Sequence, residues 1–229
     1  MKRAININNN KINYNLILKD KKNISIKLDA NGELIVSAPI DISISYIEKL
    51  LIKKQNWILS NINKIKNSNI NNENKILFLG RVFSIKIELS NDESVYIDGD
   101  FIIIKSNNID TDYVKFKLSN WLKDQANIIV MKRTKDLSIN YGLFPSKIII
   151  KNQKSRWGSC NTKQEVRLNW RLVLMPYHVM DYIITHELCH LVHMNHGREF
   201  WNLVYSYNSN YKESKKWLRE NAFSLLKIN

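Results

Sequence analysis

The sequence predicts an α+β fold, with a strand-rich leading part followed by a helix-rich part, and two observations carry this. Through most of the first hundred residues apolar positions alternate with polar ones, whereas from Asp112 onward they recur at helical spacing. The turn dipeptides Asn31-Gly32 and Asp98-Gly99 also punctuate the first part at hairpin distances. Strands and helices segregated along a chain belong to the α+β class and not to an alternating α/β one.

Each element follows from its own pattern. Ile24, Ile26 and Leu28 alternate with polar residues, Asn31-Gly32 turns the chain, and Leu34-Ile35-Val36 resumes, which predicts a hairpin ended by Pro39. Ser45 followed by Glu48 has the form of a capping box, and Tyr46, Ile47, Leu50, Leu51, Trp57 and Ile58 continue it as a helix to about Ile65. Residues 67–74, rich in Asn, read as a loop, Phe83, Ile85, Ile87 and Leu89 as a strand, and Val95 to Ile97 as the partner of Phe101 to Ile104. Tyr113, Val114, Leu118, Trp121, Leu122, Ile128 and Ile129 then mark one long helix ending before Gly142. The change of period sets a boundary between a region 1–110 and a region 111–229. Within the second, Ile148 to Ile150 reads as a buried strand. Ser155 to Cys160 and Glu165 to Trp170 read as two more strands joined by Asn161 to Gln164. Pro176 suits the first turn of a helix running to about Met194, and Trp217, Phe223, Leu225 and Leu226 close the chain as a last helix. No internal repeat is evident.

At 229 residues and 44% hydrophobic composition the chain is long and apolar enough to bury a core unaided. An Asn-rich stretch stands where a signal peptide needs an apolar one, and no segment is long and uncharged enough to span a bilayer. These features predict a cytoplasmic location and no membrane partner. The two cysteines, Cys160 and Cys189, are expected as reduced thiols. A net charge of +14 keeps nucleic acid or a nucleotide open as a partner. The lysines follow no single run or face, however, and accompany an abundance of Asn and Ile that AT-rich codons also supply.

All five histidines, His178, His186, His190, His193 and His196, fall in one short segment. Within it His186-Glu187-Leu188-Cys189-His190 is the H-E-x-x-H pattern on a predicted helix. Residues four apart lie one turn along the same face, so both imidazoles converge on one ion. Glu187 lies to the side, placed to hold and deprotonate a water at the metal. A catalytic zinc needs a third protein ligand and an open position. His193 shares the helical face, but seven residues of helix rise about 10.5 Å, a long span for one tetrahedral ion. His196, flanked by Asn195 and Gly197, which tolerate left-handed backbone, is the favoured ligand of the two.

Here the sequence resembles a known group, the YgjP-like metallopeptidases, relatives of the SprT-like and minigluzincin zinc peptidases. The resemblance rests on Arg156-Trp157-Gly158-Ser159-Cys160, Val166-Arg167-Leu168-Asn169-Trp170, Tyr182 to His190, Asn195-His196 and Phe200-Trp201. It implies a Zn²⁺ site from His186, His190 and His196 with Glu187 catalytic. It also implies that 111–229 is a zincin-like catalytic domain, its active-site helix beside a small sheet. The spacing also matches the longer metzincin motif, but His193 stands where that motif has glycine and no later Met-turn is evident.

In such peptidases the strand beside the active helix binds an extended substrate by main-chain pairing. By position Arg156, Trp157, Gly158 and Ser159 are that strand or its rim, with Gly158 allowing close approach and Arg156 a candidate oxyanion partner. The leading expectation is a zinc-dependent hydrolase cleaving peptide bonds of a peptide or protein through a metal-activated water. The alternatives are a metal-dependent nucleotide phosphoanhydride hydrolase and a nucleic-acid-associated protease of the SprT-like kind. A structural zinc fits poorly, because closed sites use four ligands.

Overall fold

A computed structural model describes residues 1–7, 10–28, 33–62, 74–153 and 155–225. Contacts divide the chain into two units, Met1–Glu73 and Asn74–Asn229.

In the first unit, β1 (Lys2–Ile7), β2 (Asn10–Leu18), β3 (Ser25–Leu28) and β4 (Leu34–Ala38) form a sheet of order β1-β2-β4-β3. β2 and β4 are parallel and the outer pairs antiparallel. The Asn-rich opening hides two strands: Ile5, Ile7, Ile12, Tyr14 and Leu16 are buried, while Asn6 and Asn13 between them face water. α1 (Ile44–Lys53) is capped by Ser43, whose side chain accepts from the Tyr46 amide at 3.3 Å. The expected capping box at Ser45 is therefore not formed, and Glu48 instead accepts from the Tyr14 hydroxyl at 3.4 Å. The helix breaks at Lys54 and resumes as α2 over residues 55–62. Ile47, Leu51 and Ile58 are buried, whereas Tyr46 and Trp57, expected on the same face, are exposed. The predicted Asn31-Gly32 turn, the helix end at 63–65 and the loop 67–73 lie outside the described residues.

The second unit begins with β5 (Lys75–Phe78), β6 (Arg81–Leu89), β7 (Ser94–Asp98) and β8 (Phe101–Ser106), in the order β5-β6-β8-β7. Again the inner pair is parallel and the outer pairs antiparallel. Each unit thus opens with the same four-stranded arrangement followed by a helix, a repeat of topology that the sequence does not display. The contact boundary falls at Glu73, not near residue 110 as the change of period suggested. The reason is packing: Phe78, Phe83, Ile102 and Ile104 share one core with Val114, Leu118 and Leu122 of the following helix.

That helix, α3 (Thr111–Tyr141), starts at Asp110, which accepts from the Asp112 and Tyr113 amides, and stops at Gly142 in the left-handed region. Its buried stripe runs Val114, Leu118, Leu122, Ala126, Val130, Thr134 and Leu137; Tyr113 and Ile128, expected on it, are exposed. β9 (Lys147–Lys151), β10 (Gly158–Cys160) and β11 (Glu165–Asn169) form a small sheet of order β10-β11-β9, so β10 is an edge. The expected strand from Ser155 is shorter, Ile148 to Ile150 are half-buried, and Trp170 opens a 3-10 turn, Trp170–Leu174, that replaces the end of the predicted last strand. α4 (Tyr177–Cys189), α5 (Arg198–Tyr207) and α6 (Tyr211–Leu225) complete the unit, which is α+β with its helix α4 beside a small sheet. Among the described residues, no helix is long and apolar enough to cross a membrane.

The first sheet of this unit also positions α4. The β5–β6 turn is Leu79-Gly80, with positive φ at both residues, as a two-residue hairpin requires. Its amides reach the 3-10 turn, Leu79 to the Val173 carbonyl at 2.8 Å and Gly80 to that of Leu174 at 3.4 Å. A Cβ on Gly80 would meet Pro176, which caps α4, at 2.7 Å. Gly142 has the same backbone sign but open space around it. Gly142→Ala should therefore cost about 1 kcal/mol, the left-handed penalty alone. Gly80→Ala should cost distinctly more, because Pro176 must also move; urea midpoints of the two variants compare them.

Candidate metal centre

α4 carries His186 and Glu187 one turn before its end. Val179, Met180, Ile183, Ile184 and Leu188 are buried and anchor it. Three neighbours brace it. Arg133 on α3 forks onto Asp181 with both bonds at 2.7 Å, Tyr141 meets the Thr185 hydroxyl at 3.1 Å, and Ser214 on α6 donates to the His178 carbonyl at 3.0 Å. His178 itself is exposed.

The helix ends at Cys189, five residues short of the expected Met194. The Leu191 and Val192 amides turn back to the Leu188 and Cys189 carbonyls, and His190 Nδ1 sits 2.9 Å from the His193 carbonyl. That contact makes Nδ1 the donor and leaves Nε2 of His190 with its lone pair free. His193 thus enters through its backbone; its ring lies 3.9 Å from Glu199. His196 is folded back without left-handed backbone, since none of residues 195–197 has positive φ, and Gly197 serves as the extended N-cap of α5.

What collects the imidazoles is α5. Phe200, fully buried, has its ring centroid 4.9, 4.6 and 4.8 Å from those of His186, His190 and His196. Trp201 lies 5.7 Å from His186 and 5.9 Å from His196. One ligand nitrogen from each of His186, His190 and His196 falls within 4.8 Å of the others, and Nε2 of His186 and His196 are 3.0 Å apart. A tetrahedral zinc with Zn–N of 2.0–2.1 Å needs donor pairs about 3.3–3.4 Å apart, so the cluster fits with small adjustment. Burial, then repulsion from His190, His196 and Lys215, holds the His186 pKa down at about 3. Burial also lowers that of His190, against its bond to the His193 carbonyl. Neutral imidazoles are the form that ligates. Among the described residues no fourth donor joins these three nitrogens, which leaves a position open.

Glu187 is buried, and burial pushes its carboxyl up to about 8 while the charge of Arg156 pulls the other way. It lies against β10 so closely that a Cβ on Gly158 would stand 2.5 Å from its Cγ and 2.7 Å from Oε1. Burial drives the Cys189 thiol up to about 12 and raises that of Cys160, where Glu187 adds to the effect. Neither cysteine belongs to the cluster.

With this geometry the family match is decisive: the YgjP-like metallopeptidase domain matches residues 22–221. The chain belongs to the YgjP-like metallopeptidase family. No curated protein matches it. Among solved structures it is similar to the metallopeptidase zymogen jannalysin of Methanocaldococcus jannaschii. That likeness is 26% identical, covers 41% of this chain and 96% of the other, and has a TM-score of 0.37.

The remaining motif residues of this YgjP-like chain take different places. Arg156 is exposed and precedes the edge strand, as does the half-buried Trp157, which packs on the core. Trp157 and Gly158 line a cavity of about 190 Å³ with Tyr182, Ile183, His186, Glu187 and Leu218. Ser159 pairs with Arg167. The Asn169 amide reaches the Trp157 carbonyl and the Asn161 amide the Glu165 carbonyl, so alternate residues 157, 159 and 161 bond inward. The amides and carbonyls of Gly158 and Cys160 therefore face the free edge, and Ser159 does not.

Two residues that shape the site, Phe200 and Asn169, stand in the motif blocks, but composition and spacing assign them no role. Phe200 reads as an ordinary core aromatic. Asn169, fully buried, donates to the carbonyls of Gln153 and Arg156 at 2.8 and 2.9 Å and holds the segment that leads into β10. Gly158→Ala should displace Glu187 while sparing the histidines. Bound metal, measured by elemental analysis, should stay within about twofold of wild type while turnover falls at least tenfold. Loss of both together would show that Gly158 supports the fold and not the Glu187 geometry.

Proposed function

We propose that this YgjP-like metallopeptidase is a zinc-dependent peptidase, with His186, His190 and His196 as ligands and Glu187 as general base. The observation that carries the reading is a buried carboxylate beside a cluster of three imidazoles, under an edge strand whose glycine leaves room for it. Zinc, when bound, supplies a Lewis acid that polarises the scissile carbonyl and makes water more acidic. Glu187 takes a proton from the attacking water at Oε1 and returns it to the departing amine nitrogen as the C–N bond breaks. Gly158 and Cys160 offer outward amides and carbonyls to the main chain of an extended peptide. Arg156, at the rim, is the cation available to a developing oxyanion.

Purified protein should hold about one zinc. His196→Ala should weaken zinc binding by more than about a hundredfold, beyond the loss of an outer-shell partner alone. Glu187→Gln should keep the metal and lower kcat by about a hundredfold or more. Zinc retained in full by His196→Ala, or turnover near wild type in Glu187→Gln, rejects the corresponding role.

The edge strand has its own test, since proline is tolerated where an amide faces solvent. Cys160→Pro removes an outward donor and should raise KM for a peptide several-fold, in line with one main-chain hydrogen bond, while Cys160→Ala should not. Equal KM values for the two variants would remove β10 from substrate binding.

A further inference from the structure

α6 runs past the metal centre with an uneven charge distribution. Lys212, Lys215 and Arg219 are spaced three and four apart and share one face, while Glu213 and Glu220 lie roughly a quarter turn or more around the helix. The cationic face borders a groove of about 530 Å³ lined also by Tyr182, Tyr211 and Leu218. Tyr182 and Leu218 line the cavity beside His186 and Glu187 as well, so groove and metal centre adjoin.

Opposite and between the cations, the groove is lined by uncharged side chains, Tyr182, Tyr211 and Leu218. Tyr211 stacks on Trp201 at 5.5 Å and lies 6.1 Å from Tyr182. Lys215 Nζ sits over the Trp201 ring at 4.4 Å, and that ring is 5.7 Å from His186, which places the ammonium no more than about 10 Å from the His186 ring. Among the described residues, ion pairs engage Lys117, Arg133 and Arg167 of this unit, but none engages Lys212, Lys215 or Arg219. A surface charge run is ordinarily spread round a helix and solvated. Here three exposed like charges border one half-apolar groove, and among the described residues no acid is ion-paired with them.

We propose that this groove is an anion subsite that receives a carboxylate of the peptide substrate, within two residues of the bond that is cleaved. The proposal rests on the peptidase reading above and adds the substrate class to it. An extended residue advances about 3.3 Å, so a carboxylate one or two positions from the scissile carbonyl reaches Lys215 with its own side chain. Two sources supply the same group, an Asp or Glu side chain and a free C-terminus.

The test measures binding apart from turnover. Zinc-loaded Glu187→Gln is titrated at fixed moderate salt with fluorescent peptides of one length that are neutral, acidic or basic at each position. Each is made with a free or an amidated C-terminus. The subsite predicts that a carboxylate near the cleaved position tightens binding about tenfold. Acidic residues with amidated ends, or free ends on neutral peptides, show which source is used. The same titration in Lys212→Glu/Lys215→Glu/Arg219→Glu should erase the advantage to within about twofold and improve binding of the basic peptides. Lys212→Gln/Lys215→Gln/Arg219→Gln should erase it without that reversal, which keeps the test available should charge reversal disturb folding.

A carboxylate advantage that is absent, or that survives both triple variants, overturns the subsite. A nucleoside triphosphate that binds more tightly than every peptide, through the same three cations, overturns the assignment to a peptide carboxylate. Wild-type turnover separates this proposal from the one beneath it. Cleavage of all peptides at equal rates rejects the subsite and leaves the peptidase, whereas the binding pattern without any cleavage supports the subsite and rejects the peptidase.

Discussion

The constraint on which the second unit depends is that a buried carboxylate, Glu187, and a buried imidazole, His190, must be held in one geometry with the half-buried His186 and the exposed His196. Burying polar groups without partners is costly, and a metal site that is loose by an ångström loses its function. The chain meets this by making α4 the most enclosed helix of the unit. Fully buried Ile184 and Leu188 fix its rotation, and Arg133 with Asp181 and Tyr141 with Thr185 fix it along α3. Phe200 then fills the space beneath the rings, so that His196, ten residues after His186, is set by packing and not by strain in the loop.

The same constraint explains Gly158. A carboxylate pressed against a strand gains shelter from water only where that strand has no side chain, and Gly158 faces the Glu187 carboxyl directly. Because strand faces alternate, Gly158 and Cys160 look toward α4. Because ladder bonds alternate, their amides and carbonyls look toward the free edge. One residue therefore serves both relations: it admits the Glu187 carboxyl and presents backbone to whatever lies along the edge.

Much of this was legible from spacing. His186, Glu187 and His190 are a local helical pattern, and the long α3 with its end before Gly142 follows from periodicity. What was not legible depends on side-chain contacts, distant packing and composition that periodicity does not register. The early helix stop at Cys189 arises from a bond between a side chain and a carbonyl, His190 to His193, that helical periodicity cannot register. The boundary near residue 110 followed a change of period, but β5–β8 bury their apolar face on α3 and so belong with it. Strands β1 and β2 were obscured because Asn fills their exposed positions, where composition reads as loop although alternation persists.

The charge of the chain looks different once the fold separates it by face. A net +14 spread over 229 residues says little about partners, since lysine-rich composition raises it everywhere. Paired cations such as Arg133 and Arg167 are already engaged within the molecule. Lys212, Lys215 and Arg219 differ because helical spacing gathers them on the side of α6 that adjoins the metal centre, while the acids of the same helix turn away. The aromatic walls let the Lys215 ammonium rest on Trp201 without neutralising it. Field strength in a cleft depends on such convergence and on low-dielectric walls more than on net charge. The informative part of a strongly basic sequence is therefore this single face, because its position beside the histidine cluster is what the proposed carboxylate subsite rests on.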